Sequence, residues 1–312
     1  MTKPIQIFHE APISLMPLVR SLTDGCYCLV HLLDQDPNYV EYFKQSKAMG
    51  RKIIMDCSVY ELGHSYDWAK YDYWIRTIQP DEYVVPDVFM KMEENHNELD
   101  KWNTSFGYNI KEDGINTKTI GVVQGNTLEE FEMGYKFIAA HADKIAISFG
   151  YGYFWDEYLK VNPTINPWQE LIDIKIDSIK TIYKPLAYHN GRRKLLKHFI
   201  DKGIINYNKP HHLLGCGLPD EFRLYADEDE YSFIESIDTT HPVMTAMDTN
   251  GLSVNRYEIK MPHPHWYAQH KKSSKKMVDL YDQHFNDDVI ANVIHNVNFF
   301  REEICGYSQK LT

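Results

Sequence analysis

The 312-residue chain contains no apolar run approaching the roughly 18 residues of a membrane-spanning helix, and its start has no charged region followed by an apolar stretch. The expectation is therefore a soluble, cytoplasmic protein with no membrane association. Only five cysteines are present (Cys26, Cys28, Cys57, Cys216 and Cys305), an odd number without a CxxC pair, which excludes a disulfide framework and implies reduced thiols. No GxGxxG follows the first apolar run, so the main reason to choose a Rossmann fold is missing. Internal repeats of 20–50 residues, low-complexity tracts and linkers are likewise lacking. Basic charge is in deficit, with 33 Lys and Arg against 44 Asp and Glu, and a net charge of −11 disfavours a polyanionic partner. Two basic clusters, Arg192/Arg193/Lys194/Lys197 and Lys271/Lys272/Lys275/Lys276, read equally as phosphate contacts or as solvated helix faces.

What the chain does have is apolar material: 43% hydrophobic and 13% aromatic residues can build a core, which excludes disorder. Short apolar runs recur at 5–10, 26–33, 52–57, 82–87, 119–125, 144–150, 211–217 and 233–240. Several are almost continuously apolar, as strands of a parallel sheet covered on both faces must be. Helical patterns separate them: one begins at Ser65, and another has Thr127 as N-cap with Glu130 three residues later, a capping box. Two helical patterns, 166–183 and 192–204, lie between the sixth and seventh runs, with His189-Asn190-Gly191 between them readable as a turn or a substrate contact. Eight strands alternating with helices predict an α/β fold, a (β/α)₈ barrel over 1–255. A C-terminal helical, His-rich extension over 256–312 is expected to pack on it.

In such a barrel, functional groups stand at the carboxyl ends of the strands, where the following loops form a pocket. Asp56, Asp87, Gln124 and Asp238 all end apolar runs. One strand-end Asp is usually a helix N-cap. Three aspartates and a glutamine converging on one mouth point instead to acid–base or nucleophilic chemistry. Cys57 beside Asp56 reads as a packing residue, because alternate residues of a strand face opposite ways.

At these positions the chain resembles the tRNA-guanine transglycosylase superfamily. Asp56-Cys57-Ser58-Val59-Tyr60-Glu61 is similar to the family's Asp-Ser-Gly-Gly-Tyr/Phe-Gln, and Gly121-Val122-Val123-Gln124-Gly125-Asn126 to its Gly-Ile-Val-Gln-Gly-Gly. The segment from His212 to Glu221 resembles Tyr-Leu-Met-Gly-Val-Gly-Thr-Pro-Glu-Asp; Ile237-Asp238-Thr239-Thr240-His241-Pro242 resembles Phe-Asp-Cys-Val-Leu-Pro. Ile294-His295-Asn296-Val297 is similar to Leu-His-Asn-Leu near the family's end. The matches keep the family's order over residues 50 to 300. The chain looks most like the branch of phages and genomic islands that acts on DNA.

The resemblance implies a base-exchange glycosyltransferase that replaces guanine in DNA with a 7-deazaguanine through a covalent glycosyl-aspartate. Asp238 is the implied nucleophile and Asp56 the implied general acid/base. Asp248, in a turn-like Asp-Thr-Asn-Gly, is a rival nucleophile. Asp87 and Gln124 are the implied readers of the purine edge, Tyr60 the stacking ring, and Gly125 and Gly215 the places of close backbone approach. No cofactor is required for this chemistry. The family's zinc cysteines are absent, leaving His263, His265, His270 and His295 either as an all-histidine structural zinc site or as a surface loop and a packed helix residue. The partners implied are DNA and a free 7-deazaguanine base, with a homodimer or accessory protein to offset the acidity. Exchange in tRNA is the nearest alternative, followed by a barrel glycoside hydrolase and a non-catalytic nucleic-acid-binding subunit. The family's double glycine is Ser58-Val59 here, and the Thr-Arg after its nucleophile is missing, which weakens tRNA-specific contacts.

Overall fold

The computed structural model describes residues 4–162, 176–215, 220–247, 256 and 285–304. Ile53, Ile54 and Met55 are consecutive and all fully buried, the signature of a strand enclosed on both faces. That strand is one of eight: β1 (Gln6–His9), β2 (Gly25–Leu29), β3 (Lys52–Asp56), β4 (Glu82–Val84), β5 (Lys118–Val122), β6 (Lys144–Ser148), β7 (His211–Leu214) and β8 (Ile234–Thr239). They pair in parallel in chain order, and β1 closes on β8 with Phe8 opposite Asp238, giving a closed (β/α)₈ barrel. No helix among the described residues is long and apolar enough to cross a membrane.

Each expected run contains a strand, but the boundaries differ for local reasons. The run 26–33 leaves the sheet at Leu29, and Val30–Leu33 turns into one helical turn. The helix expected from Ser65 begins at Trp68, because Asp67 rather than Ser65 caps it by accepting from Lys70 N. At Leu128–His141 the box is half as expected: Thr127 Oγ1 accepts from Glu130 N, whereas Glu130 Oε2 reaches back to Asn126 N, one residue beyond the cap.

His189-Asn190-Gly191 is not a turn. The helix Ile176–Asp201 runs through it, and Gly191 is needed because a Cβ there would come within 2.4 Å of Phe154 on the neighbouring helix Gly152–Val161. The adjoining basic cluster is also divided. Arg192 is fully buried, its guanidinium bonded to Glu221 at 2.6 and 2.9 Å and to the carbonyls of Leu214 and Gly215 at 2.8 and 2.9 Å. It is a clamp under the end of β7 and is not available to a phosphate. Lys197, on the exposed face, pairs with Asp201 and Glu230. The second cluster, from Lys271 to Lys276, lies outside the described residues.

The floor of the barrel is charged, where branched apolar side chains usually fill it. Lys144 is buried and meets Glu82 at 2.6 Å and Glu235 at 2.8 Å; Lys52 meets Glu82 at 2.9 Å and Gln6 at 3.0 Å. Because side chains alternate along a strand, this register fixes the rest. Lys52 inside β3 carries Asp56 inside, Lys144 inside β6 reaches Glu82, and Ser236 inside β8 carries Asp238 to the mouth.

Candidate active site

Asp56 ends β3 and Asp238 is the second-last residue of β8, so both stand at the carboxyl end of the barrel. Their surroundings differ. Asp56 has both oxygens engaged: Tyr27 donates its hydroxyl to Oδ2 at 2.8 Å, and Ser58 N donates to Oδ1 at 2.5 Å. Burial pushes its pKa up to about 8, the nearby charges of Glu61 and then Asp87 push the same way, and the two hydrogen bonds oppose them. Asp238, 5% exposed, takes two hydrogen bonds among the described residues, both on one oxygen: His212 Nε2 at 3.0 Å and Gly215 N at 3.1 Å meet Oδ1. Gly215 can present its N–H there because its φ is +69, the left-handed region glycine enters freely.

Ser58 and Met90, at φ 60 and 59, occupy the same left-handed region without being glycine, a conformation that costs on the order of 1 kcal/mol each. Each points a backbone N–H at a mouth residue: Ser58 at Asp56, and Met90 at Gln124 Oε1, 2.8 Å away. Ser58 stands where the resembled family has glycine.

Asp87 and Gln124 are buried together. Gln124 Nε2 donates to Asp87 Oδ2 at 2.6 Å, and the Cys57 thiol donates to Asp87 Oδ1 at 3.3 Å. Cys57 is thus buried, as its place beside Asp56 suggested, with its sulfur on a site carboxylate. Burial raises Asp87 to about 6 against these two bonds, and it raises the Cys57 thiol well above its usual range, so the sulfur keeps its proton. Among the described residues one Gln124 N–H is left after its bond to Asp87, so the pair can offer a carboxylate acceptor and an amide donor side by side.

Tyr60 follows β3, is 80% exposed, and reaches the loop after β6, where a Cβ on Gly150 would lie 4.0 Å from its ring. A ring extended in this way can cover a flat ligand. Gly125 serves a different neighbour: a Cβ there would meet Phe131 N at 3.0 Å and Glu130 Cβ at 3.1 Å, so its smallness admits the first turn of the following helix.

Three residues at the mouth escaped the sequence reading. Glu10, just beyond β1, is pushed well above the usual carboxylate range by burial and by the charges of Asp238, Glu61 and Asp56. Tyr27 on β2 and His212 on β7 lie nearly parallel, 9° apart with ring centroids 6.2 Å apart, between Asp56 and Asp238. Glu10 carried the same signal as Asp56, an acid ending an apolar run. His212 stood inside a quoted motif, but only its contact with Asp238 reveals its part.

Of the four candidate zinc ligands, His263, His265 and His270 lie outside the described residues, as does the rival nucleophile Asp248. His295 lies on the helix Asp287–Phe299, with the Arg256 guanidinium 3.1 Å from Nδ1. Metal-bound imidazoles usually have a carboxylate or carbonyl as this second partner, and a cation is its opposite. Among the described residues no group of three or more His, Cys, Asp or Glu could hold a metal ion.

No protein-family model matches the chain, and no curated protein matches it.

Proposed function

We propose that the protein is a base-exchange glycosyltransferase that replaces guanine in DNA with a 7-deazaguanine, with Asp238 as nucleophile and Asp56 as general acid/base. The observation that carries this reading is the unequal treatment of two carboxylates at one barrel mouth. Asp238 has one oxygen tied by two donors and Oδ2 without a hydrogen bond among the described residues, whereas Asp56 is held through both oxygens with a pKa near 8. A nucleophile needs an oxygen free to form a bond, and an acid working near neutrality needs a proton to give.

In the first step Asp238 Oδ2 bonds to C1′ of the deoxyribose as the bond from C1′ to the guanine nitrogen breaks. The electron pair leaves with the base, and Asp56 supplies the proton that neutralises it. In the second step the incoming 7-deazaguanine gives its ring N–H proton to Asp56 and attacks C1′, and the ester bond to Asp238 breaks. Two displacements restore the original configuration of the sugar. Asp87 and Gln124 suit the donor and acceptor groups along a guanine edge, and Tyr60 suits its face.

DNA is favoured over tRNA by the family branch the chain resembles and by the missing Thr-Arg. The guanine must leave the stack, at a cost of a few kcal/mol. With a net charge of −11, a homodimer or an accessory protein would share the phosphate contacts. Incubation with labelled guanine and either duplex DNA or tRNA tests the reading. Label entering DNA supports it, label entering tRNA alone moves the substrate to tRNA, and label in neither rejects base exchange.

A further inference from the structure

A line of hydrogen bonds runs from the barrel floor to Asp238. Lys144 Nζ, held by Glu82 and Glu235, lies 3.3 Å from Ser236 Oγ; Ser236 Oγ lies 2.8 Å from His212 Nδ1; His212 Nε2 lies 3.0 Å from Asp238 Oδ1. The chemistry of the first member orients the rest. An ammonium only donates, so Ser236 accepts from Lys144 and keeps its own proton to give. His212 Nδ1 then accepts that proton's hydrogen bond, Nε2 carries the N–H, and the Asp238 carboxylate receives it.

The ring is enclosed on every side. Tyr27 from β2 lies parallel to it, and Phe8 from β1 meets it edge-on at 6.4 Å. Asp238 and Ser236 face it from β8, and Lys144 from β6 and Glu82 from β4 act on it from below. Burial holds the imidazole below its ordinary pKa, against the pull of Asp238. A charged imidazole would donate to Ser236 as Lys144 does, filling both lone pairs of that oxygen and taking away the acceptor its own proton has in the neutral ring.

We propose that His212 is the positioning residue of this mouth: fixed as the neutral Nε2–H tautomer by the Lys144–Ser236 relay, it ties up Asp238 Oδ1 and leaves Oδ2 alone to react. That Oδ2 meets a sugar carbon rests on the base-exchange reading; the tautomer and the tied oxygen do not. His212 is a fixed donor here, not a carrier of protons.

The test uses the full chain labelled with ¹⁵N-histidine, with His212→Gln identifying the signal. The expected spectrum near neutral pH has one protonated nitrogen, Nε2, and one bare nitrogen, Nδ1, with any titration displaced below the ordinary imidazole range. Ser236→Ala should convert it to a mixture of tautomers. A ring that titrates near its ordinary pKa, or that carries its proton on Nδ1, overturns the proposal. In exchange assays His212→Phe, which keeps a flat ring beside Tyr27, should lower kcat by about 100-fold with KM little changed. His212→Gln, which can still donate to Asp238, should recover part of that loss. An unchanged kcat in His212→Phe also overturns the proposal. Absence of exchange in the unmodified protein counts against the base-exchange reading alone, and the nitrogen signals then decide the positioning claim by themselves.

Discussion

Tyr27 stands between the two mouth aspartates: its hydroxyl donates to Asp56 at 2.8 Å while its ring lies parallel to His212, the donor to Asp238. The hydroxyl stabilises the ionised form of Asp56, holding its pKa down against burial. Tyr27→Phe should therefore raise the Asp56 pKa from its value of about 8, moving the limb of the pH–rate profile it governs upward. The expected displacement is about half a unit to one unit, the worth of one net hydrogen bond. A limb that stays in place would remove Asp56 from the acid role.

Asp56 also makes the fold depend on pH. Its folded pKa of about 8 lies above the ordinary aspartate value of 3.8, so the unfolded chain holds fewer protons between these limits and stability falls as pH rises through that window. Asp56→Asn is neutral in both states and escapes this loss. Its stability relative to the unmodified protein should match near pH 4 and grow toward pH 8, reaching on the order of 1–2 kcal/mol once partial solvent access is allowed for. Thermal melts across this range measure it; a constant difference would contradict the raised pKa.

Arg192 separates structural from nucleic-acid roles. Arg192→Met leaves the fully buried Glu221 without its charged partner, the Tyr225 hydroxyl still donating to it, and the expected loss in urea unfolding is about 3–5 kcal/mol. A phosphate-binding arginine would behave otherwise, leaving stability unchanged and reducing the salt dependence of nucleic-acid affinity.

Asp87 accepts from both Cys57 and Gln124, so Asp87→Ala removes the acceptor and frees the amide that would face a purine. Calorimetry should find guanine bound about 10- to 100-fold more weakly. In the unmodified protein, affinity should decline as pH drops through about 6, where Asp87 gains a proton and loses acceptor strength. Equal affinity in Asp87→Ala would place the base elsewhere.

The barrel was legible because each strand is an apolar run bounded by polar residues, and the strand-end rule brought Asp56, Asp87, Gln124 and Asp238 to one face. The same rule applied to the first run would have found Glu10. Tyr27 and His212 were hidden because each is an interior residue of an apolar strand, and only closure of the barrel brings β2 and β7 close across the interior. Arg192 misled because a run of basic residues does not reveal which of them turns inward; Glu221, 29 positions away, makes that choice. Gly191 misled for a related reason, since glycine serves a tight helix crossing as readily as a turn.

The central claim is that Asp238 carries the sugar during exchange. The direct measurement is mass spectrometry of the protein quenched by denaturation during reaction with duplex DNA and an incoming base. A DNA adduct is expected on the peptide containing Asp238, absent in Asp238→Ala while base binding is retained. An adduct on another residue, or undiminished exchange in Asp238→Ala, would contradict it.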